Sequence, residues 1–302
     1  MTNNDIYPGT CYIINIPPKF KDLFQSEMFQ QLPPLVKIDF YDWAKRRNFL
    51  ISTEICRWAA YNGYFELLKW CFQHEWPIDV WTPAGAARNG YFEIVRWCVE
   101  QNIKCNQWVC SEAASGGHFE ILKWCYENKI PWDKWTCIEA ARAGHLHIII
   151  WSLNHQCPWD KGVYECAAQN GHLHVLQWCL ENQYPWSEYT CAYAAQYGRL
   201  DVIQWCRSRG CPWNDWTCCE AARYGQLETL KWCIQQECPW NYKECLHYLY
   251  VYYHHHIPYT ILTLFYNNQE LQQLKEQYDT FFKWINDFLL YKDLLYIIKL
   301  YC

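Results

Sequence analysis

The sequence predicts an all-α solenoid of stacked helix pairs, and three observations predict it. Seven glycines recur every 27 residues: Gly63, Gly90, Gly117, Gly144, Gly171, Gly198 and Gly225. An alanine pair stands before each, from Ala59-Ala60 through Ala140-Ala141 to Ala221-Ala222. Seven residues after each glycine comes Trp70, Trp97, Trp124, Trp151, Trp178, Trp205 or Trp232. So many columns on one period mark a repeat array, in which each unit is a supersecondary element that buries its apolar face only against its neighbours.

The copy at 131–157, PWDKWTCIEAARAGHLHIIIWSLNHQC, shows why a unit reads as two helices. Pro131 stops the preceding helix, and Asp133 is a suitable N-cap. Its column holds Asp79, Asn106, Asp160, Ser187, Asn214 and Asn241, all with side chains that accept from free N–H groups at a helix start. The first helix then runs to about residue 143, and its alanine pair allows a neighbouring backbone to approach closely. Gly144 makes the turn, because glycine takes left-handed angles cheaply. The second helix starts near His145. In the first unit it carries a polar stripe, Glu66, Lys69 and Gln73, opposite Phe65, Leu67, Leu68, Cys71 and Phe72. That apolar side is too broad for one helix pair to cover, so pairs must stack.

Composition narrows the function classes. Aromatic residues make up 19% of the 302-residue chain, far too much for a disordered one. The net charge is -5 with both signs interspersed, so there is no concentrated positive surface for nucleic acid or anionic membrane. The opening MTNNDIYPGTCYIINIPPKF lacks a basic start followed by a long apolar run, which argues against a secretory signal. No stretch reaches the roughly 20 apolar residues of a membrane helix. A cytoplasmic or nuclear location is expected, where thiols stay reduced.

The segment TPAGAARNGYFEIV (82–95) resembles the ankyrin consensus, and CIEAARAGHLHIII and CCEAARYGQLETLKW follow the same template. The resemblance covers about residues 51–243. It departs in period: an ankyrin unit has about 33 residues, and the residues missing here fall where an ankyrin unit carries its β-hairpin finger. The chain is similar to the short, Trp- and Cys-rich variant found in amoebae and large DNA viruses. The resemblance implies a protein-interaction scaffold, monomeric and without enzymatic activity.

Three segments are expected. Residues 1–50 form an N-terminal segment with a degenerate capping helix around Trp43. Residues 51–243 hold seven repeats. Residues 244–302 hold an atypical last repeat and a helical tail that includes LQQLKEQYDTFFKWINDFLL. Many ankyrin proteins of viruses and amoebae carry a terminal module that docks on a ubiquitin-ligase core. The resemblance therefore implies a second role for 257–302, as the docking part of a substrate adaptor.

Most chemistry-bearing residues have a structural reading. Fifteen of the 20 cysteines fall in three columns: Cys71, Cys98, Cys125, Cys179, Cys206 and Cys233 after Trp; Cys56, Cys110, Cys137, Cys191, Cys218 and Cys245 in the first helix; Cys157, Cys211 and Cys238 before Pro-Trp. Helices stacked about 8–10 Å apart keep same-column cysteines beyond disulfide reach. No tight Cys pair of the zinc type occurs. Cysteine is thus expected as a small buried apolar residue, with no metal or cofactor bound. His118, His145 and His172 are expected to link units by hydrogen bonds. The run His254–His256 cannot face one ion from a helix. The Trp70 column is expected to fill the core between units, and Trp81, Trp108, Trp135, Tyr189 and Trp216 to lie partly exposed. Pairs such as Glu66/Lys69 and Glu228/Lys231 are weak surface pairs. No catalytic Ser-His-Asp order, phosphate loop or HExxH appears.

Without fingers, partner binding moves to the first helices. The columns flanking the alanine pair vary most within the chain: Arg57, Trp58, Tyr61, Arg88, Glu112, Glu139, Arg142, Glu165, Gln169, Tyr193, Gln196, Glu220, Arg223 and Tyr224. Large aromatics and arginines mixed with carboxylates suit a protein contact, and these are the candidate contact residues.

Overall fold

The computed structural model describes residues 53–187, 189–241, 244–245 and 247–249. The helix expected around Trp43, the His254–His256 run and the 257–302 tail lie outside them. The chain divides into two compact units, 1–187 and 188–302.

The described part of the first unit is five helix pairs. They are α1 (Thr53–Tyr61) with α2 (Phe65–Gln73), α3 (Trp81–Arg88) with α4 (Phe92–Glu100), α5 (Gln107–Ser115) with α6 (Phe119–Glu127), α7 (Lys134–Ala143) with α8 (Leu146–Asn154), and α9 (Gly162–Asn170) with α10 (Leu173–Glu181). First helices stack side by side in the order α1, α3, α5, α7, α9, and each second helix packs on its own first helix. The second unit has two pairs: α11 (Thr190–Gln196) with α12 (Leu200–Ser208), and α13 (Asp215–Arg223) with α14 (Leu227–Gln235). There α11 packs against α13, and helical backbone resumes at 244–245 and 247–249. The described residues contain no strand, so the link between pairs is a short coil rather than a finger.

First-helix starts follow the expected cap column. Oδ1 of Asp79, Asn106, Asp133 and Asp160 accepts the N–H of Trp81, Trp108, Trp135 and Gly162 at 2.8–3.2 Å. Asn214 has the right residue type, but its side chain makes no cap hydrogen bond.

Both helices of a pair end in the same closure. In α7 the His145 N–H bonds to Ala140 C=O (2.8 Å) and the Gly144 N–H to Ala141 C=O (3.2 Å). This is a Schellman turn, with a left-handed residue just past the helix. In α2 the Trp76 N–H bonds to Cys71 C=O (2.9 Å) and the Glu75 N–H to Phe72 C=O (3.1 Å), again with a left-handed residue, Glu75. The left-handed position after the first helix is always glycine. After the second helix it is Glu75, Asn102, Lys129, Gln156, Gln183, Gly210 or Glu237. Space explains the contrast. A Cβ at Gly144 would stand 2.7 Å from the His172 ring of the next repeat, whereas one at Gly210 would meet nothing within 4 Å.

The core runs between the layers. It is built from the alanine pairs, the column cysteines and two inner residues of each second helix, such as Ile121 and Leu122 or Ile148 and Ile149, all buried. The tryptophan column is less interior than expected. Trp70 is buried, but Trp97 through Trp232 are half-buried at the rim. There three of them receive an aromatic ring of the preceding second helix edge-on: Phe65 on Trp97, Phe92 on Trp124 and Phe119 on Trp151, with centroids 5.4–5.7 Å apart. Phe72, expected on the apolar side, also lies at this rim, edge-on to Trp97.

Candidate protein-contact surface

In the first unit the structure splits the candidate residues. Trp58, Glu112 and Glu139 are interior, the two carboxylates at 1% exposure. They occupy the position just before the alanine pair, enclosed between stacked first helices. A residue so enclosed has no surface to offer a partner, so these three act in packing between repeats, which corrects their expected place on the reading face. The neighbouring arginines turn to the same seam. Arg88 Nη1 donates to Glu112 Oε2 at 2.7 Å. Arg142 Nε donates to Glu139 at 3.0 Å, and its Nη1 to Gln169 Oε1 at 3.3 Å. Arg57 Nε donates to Asp79 at 2.8 Å, and Glu165 accepts from the Ser187 hydroxyl at 2.6 Å. Tyr61 is half-buried against Gly85. Charges that sequence variation marks for a partner are thus engaged in a ladder between repeats.

Burial raises the Glu139 carboxyl above its ordinary 4.5, opposed by Arg142 and Arg88 and reinforced by Glu112. The folded chain then holds a proton that the unfolded chain has released, so the stability this group contributes is largest below pH about 4.5 and falls as pH rises through the shifted value. Glu139→Gln carries no such proton. Its melting temperature, relative to the parent, is expected to climb as pH is raised from 4 to 7. A pH-independent difference between the two proteins would show that burial does not govern this group.

The second unit presents its candidates differently. Tyr193 and Tyr224 are 37% and 41% exposed, and the Arg223 side chain 53%. Tyr197, which sequence variation did not single out, is 48% exposed at the end of α11. The Arg223 guanidinium lies 5.9 Å from the Tyr224 ring and 5.7 Å from the Tyr248 ring, with Glu220 at 3.5 Å. Glu220 and Gln196 are partly covered, and burial raises the Glu220 carboxyl against the pull of Arg223.

Two further sets come together. Trp81, Trp108 and Trp135 form a row along the first-helix starts, with centroids 5.4 and 6.4 Å apart. In the second unit Trp216 is 55% exposed, 6.0 Å from Tyr189. The expected histidine links are present: His118 Nε2 pairs with the Arg88 carbonyl at 3.1 Å, and His172 Nε2 with the Arg142 carbonyl at 3.0 Å. The cysteines are free thiols, all buried but Cys105 among those described. Scanning for tight pairs misses one consequence of the three columns: different columns of one repeat meet. Cys191, Cys206 and Cys211 have all their sulfurs within 4.8 Å of one another. Their spacing, with 14 and then 4 residues between, is the signal in the sequence.

No helix among the described residues is long and apolar enough to cross a membrane. Residues 110–151 match the family model for ankyrin repeats (many copies), a class of module that generally mediates protein–protein interaction. No curated protein matches the chain. Among solved structures it is similar to the human ASB11 ankyrin repeat domain, at 17% identity and a TM-score of 0.40, over 55% of this chain and 82% of that one. It is also similar to the pentatricopeptide repeat protein PPR10 in complex with an 18-nt psaJ RNA element, at 11% identity and a TM-score of 0.32. That likeness covers 68% of this chain and 42% of that one, so the chain spans less than half of PPR10. At these scores neither likeness bears on function.

Proposed function

We propose that this ankyrin-repeat chain is a non-enzymatic protein-binding module whose contact residues in the second unit are Tyr193, Arg223 and Tyr224, with Tyr197 beside them. One observation carries the reading: large aromatics and an arginine stand exposed along α11 and at the end of α13, while Glu112, Glu139, Arg88 and Arg142 of the first unit are engaged in ion pairs. Rigid aromatic anchors and arginine are the side chains that dominate protein-contact energies. The partner that fits is a protein surface offering carboxylates to Arg223 and apolar area to the tyrosines, and nucleic acid and membrane are not proposed.

The triple variant Tyr193→Ala/Arg223→Ala/Tyr224→Ala tests this. Affinity capture from the source cell identifies partners of the parent chain, and each is then titrated against both proteins. At roughly 1–2 kcal/mol for each residue, the triple change should weaken binding by at least about 100-fold while circular dichroism stays unchanged. If every captured partner binds the variant as well as the parent, the assignment is wrong. The alternative, a ubiquitin-ligase adaptor docking through 257–302, concerns residues outside the described ones. Co-purification of ligase subunits with that tail is its test.

A further inference from the structure

The three sulfurs gathered in the second unit come from three parts of one repeat. Cys191 lies in the first turn of α11, Cys206 in the last turn of α12, and Cys211 just beyond it. The Schellman closure of α12, in which the Cys211 N–H bonds to Cys206 C=O at 3.0 Å, sets Cys206 and Cys211 at the two positions whose side chains meet in that motif. The start of α11 brings Cys191 to the same point, 3.8 Å from Cys211 between sulfurs.

Packing alone does not call for sulfur at all three places. The equivalent positions hold Cys56, Cys71 and Trp76 in the first repeat, Cys110, Cys125 and Ile130 in the third, and Tyr164, Cys179 and Tyr184 in the fifth. Only the sixth and seventh repeats fill the set with cysteine. The seventh has Cys218, Cys233 and Cys238, but among the described residues only the sixth has all three sulfurs within 4.8 Å of one another.

We infer that Cys191, Cys206 and Cys211 form a three-thiolate site for one Cu(I) ion. An ion about 2.3 Å from each sulfur spaces the sulfurs by about 3.8 Å in a tetrahedral arrangement and about 4.0 Å in a trigonal one, so the cluster closes on it with small side-chain shifts. All three sulfurs are soft donors, and no His, Asp or Glu among the described residues joins the set. Zinc takes four ligands, whereas thiolates without a hard ligand select a soft ion such as Cu(I). Binding is a ligand exchange without electron transfer: three S–H bonds are lost, three Cu–S bonds form, and three protons leave to solvent.

The surroundings suit a cluster that carries negative charge. The Arg207 guanidinium is held beside it, donating to the Cys211 carbonyl at 2.5 Å and lying 4.1 Å from the Trp213 ring centre. Cys211 is buried, but exposed Gly210 and Pro212 flank it, which places the way in at this link.

The test uses the full chain, reduced and kept under anaerobic conditions, titrated with Cu(I) against the chromophoric chelator bicinchoninate. The parent should withdraw one equivalent, and X-ray absorption on that sample should show three sulfurs at about 2.3 Å. Cys191→Ala, Cys206→Ala and Cys211→Ala should each weaken binding by more than about 100-fold, beyond the 10–100-fold typical for losing a group that only supports a ligand. Cys179→Ala, a lone cysteine of the same column as Cys206, should bind as the parent does. Equimolar Zn(II) should not displace the bound copper. No withdrawal of Cu(I), equal weakening by Cys179→Ala, or displacement by Zn(II) would each overturn the assignment. Where an alanine substitution prevents folding, Cys191→Ser, Cys206→Ser or Cys211→Ser takes its place with the same expected loss.

Discussion

Trp151→Ala is expected to lower the stability of the first unit by about 3 kcal/mol, the low end of the range for truncating a large aromatic because this ring is only half-buried. Four rings converge on it. Phe119 and Tyr126 of α6 meet it edge-on at 5.4 and 5.6 Å, Trp132 of the following link at 5.7 Å, and His155 stacks on it at 4.2 Å. Aromatic pairs of this kind add about 0.5–1.5 kcal/mol each beyond buried area. Because the cluster joins α6 to α8, the loss should appear locally as well as globally. Hydrogen exchange should accelerate first in α6 and α8 and later in α1. Urea unfolding followed by circular dichroism gives the total. A loss below about 1 kcal/mol would mean that the rim rings touch without stabilising the stack.

Gly144→Ala should cost about 2–3 kcal/mol, from two separable causes. The residue sits at φ +79°, where a side chain costs about 1–2 kcal/mol. Its new Cβ would also stand 2.7 Å from His172 Nδ1 and 2.9 Å from Cε1, pushing the ring off its hydrogen bond to the Arg142 carbonyl, worth about 1 kcal/mol. The pair Gly144→Ala and His172→Ala forms a cycle that tells the causes apart. If the ring is what the methyl strikes, the double variant should lose about 1 kcal/mol less than the sum of the singles. Strict additivity would place the whole cost in the backbone and remove the steric reason for glycine at this column. Gln156→Gly at the other left-handed position (φ +66°) should instead be neutral or slightly stabilising, since it relieves a strained backbone where a side chain is merely tolerated.

The same comparison shows what could be read in the residues and what could not. Asp133, Gly144 and the alanine pair act within about ten residues of one another. Their roles as cap, turn and close-packing face follow from local backbone chemistry, and the helix pairs stand where the columns put them. The second left-handed position could not be read this way, because Glu75, Lys129 and Gln156 carry no signature of the angle they adopt. For the contact surface, variation between repeats marks the first helices but cannot tell a solvent-facing residue from one facing a neighbouring repeat. Glu112 and Tyr193 occupy the same column; one is enclosed and pairs with Arg88, the other is exposed. Glu112 is enclosed because the preceding repeat supplies an arginine that reaches forward from α3.

The sequence by itself determined the period, the helix pair as the repeating element, and the residues that start most first helices and turn the chain after them. These depend on interactions between near neighbours in the chain, and a 27-residue column displays them seven times over. Only the tertiary structure decided which variable side chains face outward, why one left-handed column admits nothing but glycine, and that Cys191, Cys206 and Cys211 share one buried point. Those outcomes depend on atoms that meet across helices 15 to 30 residues apart, where no local preference records the encounter.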